Sequence, residues 1–79
     1  AEMIQVFPNP AKENVTISYP LNVNSTVKVN FINASGAIAK QVELQSEQTQ
    51  VDVSELQPGV YVLKFESNGS VLVKRLVIR

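Results

Sequence analysis

Hydrophobic and polar residues alternate along most of this chain. Val15, Ile17 and Tyr19 are separated by small polar residues, and the same pattern recurs at residues 27–31 and 61–66. A period of two is typical of a strand that buries one face and exposes the other. No stretch of helical length has apolar residues at intervals of three and four. The pattern therefore predicts an all-β protein.

Turn-forming residues separate the alternating runs. Asn68-Gly69 predicts a tight type I′ hairpin, because both residue types accept positive φ. Residues 34–36 (Ala-Ser-Gly) predict a second hairpin, and residues 57–59 (Gln-Pro-Gly) predict a turn before the next strand. Residues 8–10 (Pro-Asn-Pro) end the first strand, since proline fixes φ and lacks an N–H. Residues 20–25 predict a longer polar loop. The predicted strands lie at about residues 3–8, 14–19, 26–33, 37–44, 49–53, 60–67 and 70–78.

Seven short strands at this spacing predict a single seven-stranded antiparallel Ig-like β-sandwich. A chain of 79 residues forms one domain, because it buries only about 60–65% of its unfolded surface. The last strand has apolar residues on both faces, so it is either covered on both sides or awaits a partner. The residues expected in the core are Val6, Val15, Ile17, Val27, Val29, Phe31, Ile38, Val42, Leu44, Val51, Val53, Leu56, Tyr61, Leu63, Phe65, Leu72, Leu76 and Ile78.

The composition argues against most kinds of chemistry. The chain has no cysteine and no histidine, so it can form no disulfide or thiolate metal site and lacks the commonest general base. Its seven acidic residues are scattered, and a Ser nucleophile would have only a lysine to activate it. We expect no enzyme activity, no cofactor and no metal. The net charge of zero argues against a nucleic-acid partner, and no apolar run is long enough for an embedded membrane segment.

Three stretches are more specific than the periodicity. They are residues 6–11 (VFPNPA) followed by Val-x-Ile at residues 15–17, residues 52–63 (DVSELQPGVYVL), and residues 74–79 (KRLVIR). In this order and spacing they resemble the C-terminal sorting domains of type IX secretion cargo proteins from Bacteroidetes-type bacteria. The resemblance covers the chain from about Val6 to Arg79.

The central hairpin departs from the pattern of that family. Relatives usually have Asp-x-x-Gly followed by Arg, whereas this chain has Asn33, Gly36 and Ala37 at those places. Asparagine keeps a short turn-forming side chain, so we expect the hairpin to be retained. The carboxylate and the arginine that relatives offer for an ion pair or a receptor contact are missing here.

The resemblance implies that the domain is a secretion signal. The outer-membrane translocon would read it and direct an N-terminally attached cargo through the periplasm and across the outer membrane to the cell surface. A pathway sortase would then commonly remove the domain and join the cargo to an anionic lipopolysaccharide. The domain would thus be the substrate of an enzyme. Cleavage would fall in or just before the first residues, so residues 1–5 are interpreted as a linker or a remnant of the junction. If the protein is exported, we expect either that its export signal lies upstream of Ala1 or that this chain is a fragment of a longer precursor.

The final strand carries the one clear charge asymmetry of the chain. Lys74, Arg75 and Arg79 stand within six residues that contain no acid. Basic residues guard an edge strand against aggregation, yet a free, basic strand also suits strand addition or an acidic groove. The resemblance favours recognition. The residues expected to be recognised by the secretion machinery are Lys74, Arg75, Leu76, Val77, Ile78, Arg79, Gly59 and Tyr61.

The other motif residues are expected to be structural. Tyr61 would plug one end of the sandwich with its ring while its hydroxyl reaches water. Gly59 would adopt a backbone angle that a side chain forbids. The structural motif residues are Pro8, Asn9, Pro10, Gly36 and Leu56.

Two further hypotheses stay open. The first is a retained structural or adhesive module that binds carbohydrate or a surface. Such a site needs exposed aromatic rings, and Phe7 is the only good candidate, because the other four aromatic side chains are expected to point inward. The second is a homodimer at high concentration, formed by exchange of the first strand, which Pro8 and Pro10 weaken, or of the last strand.

Overall fold

The computed structural model describes residues 4–20, 26–67 and 69–79. These residues form seven strands and no helix, which confirms the all-β prediction. Each strand coincides closely with a predicted one, and the last has the predicted bounds. The strands are β1 (Gln5–Phe7), β2 (Asn14–Ser18), β3 (Val27–Ile32), β4 (Ile38–Leu44), β5 (Gln48–Asp52), β6 (Gly59–Ser67) and β7 (Ser70–Ile78).

The strands form two antiparallel sheets. One sheet has three strands in the order β1-β2-β5, and the other has four in the order β4-β3-β6-β7. The predicted Ig-like sandwich is confirmed. It differs from constant-type immunoglobulin domains in its fourth strand, which pairs with the third strand and not with the fifth. β1 and β7 lie at the edges of their respective sheets.

The core lies between the two sheets. Alternate residues of β2, β3 and β6 point inward, as the period of two predicts. Burial of each aliphatic or aromatic side chain of this kind contributes about 1.5–3 kcal/mol. The largest fully buried side chains are those of Phe31, Phe65, Ile17, Leu44, Leu63, Leu76, Ile78, Val15, Val27, Val29 and Val53.

Two predicted core residues are exposed. Ile38 is 59% exposed, because the register of β3 and β4 shifts between Phe31 and Ile32. Phe31 pairs with Lys40 and Ile32 pairs with Ile38, so one extra residue in β4 turns Ile38 to the outer face. Leu72 is 37% exposed although it pairs with buried Phe65. It lies on the edge strand β7, and the facing edge strand β1 is only three residues long.

Other differences at the core are smaller. Val6, Val42 and Leu56 are only partly buried but pack against the core as predicted. Ile4 and Ala11 are buried, which the sequence pattern did not indicate. Because Ile4 lies in the core and Gln5 begins β1, both residues belong to the folded domain.

The two predicted hairpins are present. Asn33 Oδ1 accepts hydrogen bonds from the backbone N–H of Ser35 and of Ala37, each at 3.0 Å, and Gly36 has a φ of +89°. Ser67 pairs with Ser70, so a two-residue connection joins β6 and β7, and Gly69 has a φ of +80°. The predicted type I′ conformation depends also on Asn68, which lies outside the described residues, as does most of the predicted loop at 20–25.

Candidate recognition site at the C-terminal strand

The three motif stretches meet at the C-terminal half of β7. On one side, β6 pairs with it, with Gly59 opposite Ile78 and Tyr61 opposite Leu76. On the other side, the segment that follows β1 bonds to it through Asn9 and Ala11. Residues that are far apart in the sequence therefore form one continuous structure.

Asn9 binds β7 as a backbone peptide group would. Its side-chain Nδ2 donates to the carbonyl of Arg75 at 3.2 Å, and its Oδ1 accepts the N–H of Val77 at 3.1 Å. Ala11 continues the pattern with its backbone: its N–H donates to the carbonyl of Val77, and its carbonyl accepts the N–H of Arg79, both at 2.8 Å. The segment thus forms two successive rungs of a parallel ladder, with Ala11 opposite Ile78.

The prolines explain why a side chain is used. Pro8 and Pro10 have no N–H, so the backbone around Asn9 has few donors to offer to β7. The Phe7-Pro8 and Asn9-Pro10 peptide bonds are cis. The predicted end of β1 before Pro8 is confirmed, and the chain then crosses from one sheet to the other. The expectation of a free C-terminal strand is wrong for residues 75–79, because Asn9 and Ala11 occupy that edge.

Tyr61 closes one end of the sandwich. Its side chain is buried as predicted, but its hydroxyl does not depend on water: it donates to the carbonyl of Gln57 at 2.6 Å. A hydrogen bond from a buried tyrosine to the backbone a few residues upstream is the tyrosine corner of immunoglobulin-like sandwiches. Gly59 lies between the two, with a φ of +155° that a residue with a side chain rarely adopts.

The segment before this corner is held by local hydrogen bonds. Both the hydroxyl and the backbone N–H of Ser54 donate to Asp52 Oδ1, at 2.7 and 2.9 Å. These two bonds, with the nearby charge of Lys40, hold the pKa of the Asp52 carboxyl below its usual value, because they favour the ionised form. Lys40 also pairs with Glu55 at 2.8 Å. The short capped turn at Ser54 orders the motif that leads into β6.

A comparison with known families identifies the domain. The sequence model of the secretion system C-terminal sorting domain matches residues 5–79, which include all three motif stretches. The chain belongs to this family of type IX sorting domains. The family is one of sorting signals and is not an enzyme family, so the domain implies an N-terminal cargo and export through the type IX system to the cell surface. No match was found among curated proteins.

The residues expected to be recognised are divided between the surface and the core of the sorting domain. A partner that contacts the folded domain would meet the exposed side chains of Arg75 and Arg79 and the exposed backbone of Gly59. The side chains of Leu76, Ile78 and Tyr61 lie in the core, so they support this surface by packing beneath it. Lys74 and Val77 are half-buried.

A cleft separates the two edge strands of the sorting domain. It has a volume of about 500 Å³ and lies between β1 and β7. Lys74 and Arg75 border it on the β7 side, and Phe7, which is 43% exposed, stands on the β1 side. No acidic residue contributes to its lining. The cleft therefore has a mixed polar and apolar lining with positive charges on its β7 side.

The N-terminal half of β7 is uncovered in the part of the chain that the structure describes. Val71, Leu72 and Val73 are all exposed, so β7 is not covered on both faces. Val60 and Val62 of β6 are exposed on the same outer face as Val71 and Val73. The sequence indicated apolar residues on both faces of the last strand, but it did not indicate that the outer apolar face extends onto β6.

Two features are absent from the described residues. Among them, no group of three or more His, Cys, Asp or Glu side chains converges to hold a metal ion. Within the same ranges, no helix is long and apolar enough to span a membrane.

Proposed function

We propose that the outer-membrane translocon of the type IX system reads the folded domain at the C-terminal half of β7 and directs the attached cargo across the outer membrane. The observation that carries this proposal is the convergence of all three motif stretches on one strand. Arg75 stands exposed on that strand and Arg79 stands exposed directly after it, with Lys74 next to Arg75. Their positive charges would attract an acidic groove and fix the orientation of the domain.

A transport test with charge reversal checks this proposal. An inert reporter, exported to the periplasm, is fused to residues 1–79 in a host that has the pathway. Deletion of residues 74–79 would also remove buried Leu76 and Ile78, so it cannot separate recognition from folding. The double variant Arg75→Glu and Arg79→Glu leaves the core intact. We expect periplasmic retention of this variant and surface display of the parent.

A matched control carries the same change of net charge elsewhere. Lys12→Glu with Lys28→Glu alters two exposed cations outside the final strand. We expect this variant to be displayed like the parent. Loss of display in both double variants, with both domains folded, would mean that overall charge matters and not this surface. Display of the Arg75 and Arg79 variant at the parental level would refute the proposal.

We propose further that the pathway sortase removes the domain N-terminal to Ile4. Ile4 is buried and β1 begins at Gln5, so a cut after these residues would have to open the sandwich. Mass spectrometry of the displayed reporter tests this. A reporter that ends before Ile4 supports cleavage there, and a reporter that keeps the whole domain would support a retained structural or adhesive module instead.

A strand-exchanged homodimer of the sorting domain stays a prediction. The Asn9 and Ala11 bonds join the first motif to β7, so an exchanged first strand would take these bonds to the second copy. We expect dimers at high concentration. Light scattering that gives a monomer at sub-millimolar concentration would contradict this.

A further inference from the structure

The outer edge of β7 is hydrogen-bonded to a neighbouring segment only from Arg75 onward. Asn9 and Ala11 form the hydrogen bonds along this edge between the carbonyl of Arg75 and the N–H of Arg79. N-terminal to that point, no residue within 4–20, 26–67 or 69–79 pairs with it. In an antiparallel strand the N–H and C=O of one residue point to the same side, and the side alternates along the strand.

The ladder shows which backbone groups face the open side. The N–H of Val77 points to Asn9, away from β6. By alternation, the N–H and C=O of Val73 and Val71 point the same way, and so does the N–H of Arg75. The N–H groups of Leu72 and Lys74 point to β6. The open part of the edge therefore presents backbone donors and acceptors at the spacing that a neighbouring β-strand needs for pairing.

The side chains beside this row are apolar. Val71, Leu72 and Val73 are all exposed, and Val73 is 60% exposed. An exposed, apolar edge is a template on which another extended chain can pair. Extended peptides are commonly bound in this way, with affinity from the backbone and specificity from alternate side chains.

The surroundings of the edge select the chemistry of the bound chain. The cleft between β1 and β7 adjoins the edge and exposes the ring of Phe7, and Lys74 and Arg75 border both the cleft and the edge. A strand laid beside Val73 would direct one set of alternate side chains towards Phe7 and the cleft, and the other set towards the outer face. Apolar residues suit the first set, and acidic residues near Arg75 suit the second.

We propose that the open edge of β7 from Val71 to Arg75 docks an extended segment of a partner protein, in which apolar and acidic residues alternate, as a fifth strand of the four-stranded sheet. The proposal names the kind of partner segment that reads the domain, and for its biological role it rests on the proposed function. A second copy of the chain suits the edge less well. It would bring a second Lys74 and Arg75 to the same short edge, where like charges repel.

Amide hydrogen exchange tests the docking directly. The probes are a heptapeptide in which Glu and Val alternate and a matched heptapeptide in which Lys replaces Glu. With the acidic peptide in excess, we expect exchange at the amides of Val71, Val73 and Arg75 to slow at least tenfold. The amides of Leu72 and Lys74 should be unchanged, because they already bond to β6. Unchanged exchange at the three outward amides would overturn the proposal, and so would protection that rises with protein concentration without peptide, which would indicate a second copy.

Two substitutions at one position separate backbone pairing from side-chain contact. Val73→Pro removes an outward donor and places a ring on the edge, but leaves the bonds to β6 intact. Val73→Thr keeps the donor and a β-branched side chain. We expect the proline variant to lose binding of the acidic peptide and the threonine variant to keep it. Equal loss in both would overturn strand addition.

Charge reversal tests the acidic part of the proposal. Arg75→Glu should weaken the Glu peptide at least tenfold and strengthen the Lys peptide. An unchanged ratio between the two peptides would overturn the assignment of acidic residues to the partner segment.

The transport assay then distinguishes this proposal from the sorting function. Retention of the Val73→Pro fusion with display of the Val73→Thr fusion supports strand addition as the mode of recognition. Display of both, with retention of the Arg75 and Arg79 double variant, would overturn strand addition and leave recognition at the end of β7 standing. Display of all these variants would overturn both.

Discussion

Asn9 and Val77 are 68 residues apart in the chain, yet Asn9 Oδ1 accepts the backbone N–H of Val77 at 3.1 Å. The same side chain donates to the carbonyl of Arg75. One amide group thus joins the first motif of the domain to its final strand. The proposed recognition surface depends on this contact, because it holds Arg75 and the end of β7 against the segment that follows β1.

Loss of the Asn9 amide should destabilise the domain measurably. Asn9→Ala removes both hydrogen bonds, each of which contributes about 0.5–1.5 kcal/mol, so we expect a loss of about 1–3 kcal/mol in the free energy of unfolding. Asn9→Asp keeps the acceptor but loses the donor, and should be intermediate near neutral pH. Urea denaturation measures both. The exposed Gln45→Ala serves as control, and an equal effect there would show that Asn9 has no special role.

The hydroxyl of Tyr61 should also contribute to stability. Tyr61→Phe leaves the carbonyl of Gln57 without its 2.6 Å partner while the ring still fills the core. We expect a loss of about 1–2 kcal/mol without a change of fold. Tyr19→Phe is the matched control: Tyr19 stacks on Phe65, but its hydroxyl has no partner among the described residues. If both variants lose the same stability, the tyrosine corner does not explain the effect.

The hydrogen bonds of Asp52 make stability depend on pH. Their effect is to lower the pKa of this carboxyl in the folded state below the ordinary value of 3.8. A depressed folded pKa stabilises the domain at pH values above the unfolded pKa, and this stabilisation is lost as pH falls through the folded pKa. The advantage of the parent over Asp52→Asn should therefore shrink as pH drops from about 5 to 2. An advantage that stays constant over that range would contradict the shift.

Ser54→Ala tests the cause of that shift. It removes the hydroxyl bond, which is the largest contribution to the shift, but keeps the backbone bond from the same residue. We expect the pKa of Asp52 to rise towards its ordinary value. An NMR titration of the Asp52 carboxyl measures this directly, and an unchanged pKa would assign the shift to another group.

Two leucines of β7 should respond differently to truncation. Leu76 is fully buried, so Leu76→Ala leaves a cavity and should cost about 2–5 kcal/mol. Leu72 is partly exposed at the open edge, so we expect Leu72→Ala to cost less than about 1 kcal/mol. Thermal or urea denaturation compares the two. Similar losses would show that Leu72 lies in the core, as the sequence pattern had indicated.

The sequence pattern predicted the strands and most of the core, because burial of one strand face requires alternation. It failed where alternation is locally broken or where burial depends on a distant strand. The extra residue in β4 reversed the side of Ile38. The exposure of Leu72 depends on how far β1 extends, which no property of β7 itself shows.

The arrangement of the site was less predictable than the fold. The motif residues could be named from the resemblance, but their meeting at β7 depends on long-range register. Asn9 offered one signal that could have been used. A residue between two prolines that lack N–H groups can donate to a neighbouring strand through its side chain, and asparagine carries an amide suited to that purpose.

The ladder between Asn9 and β7 has a consequence for how the signal can be read. The surface exists only when both far ends of the domain have come together, so an unfolded domain carries the same residues without presenting it. A short tag made of residues 74–79 would lack the neighbours that hold Arg75 and Arg79 in place. Under the proposed function, recognition of this surface would require a folded domain, so the translocon would pass only cargo whose sorting domain has folded.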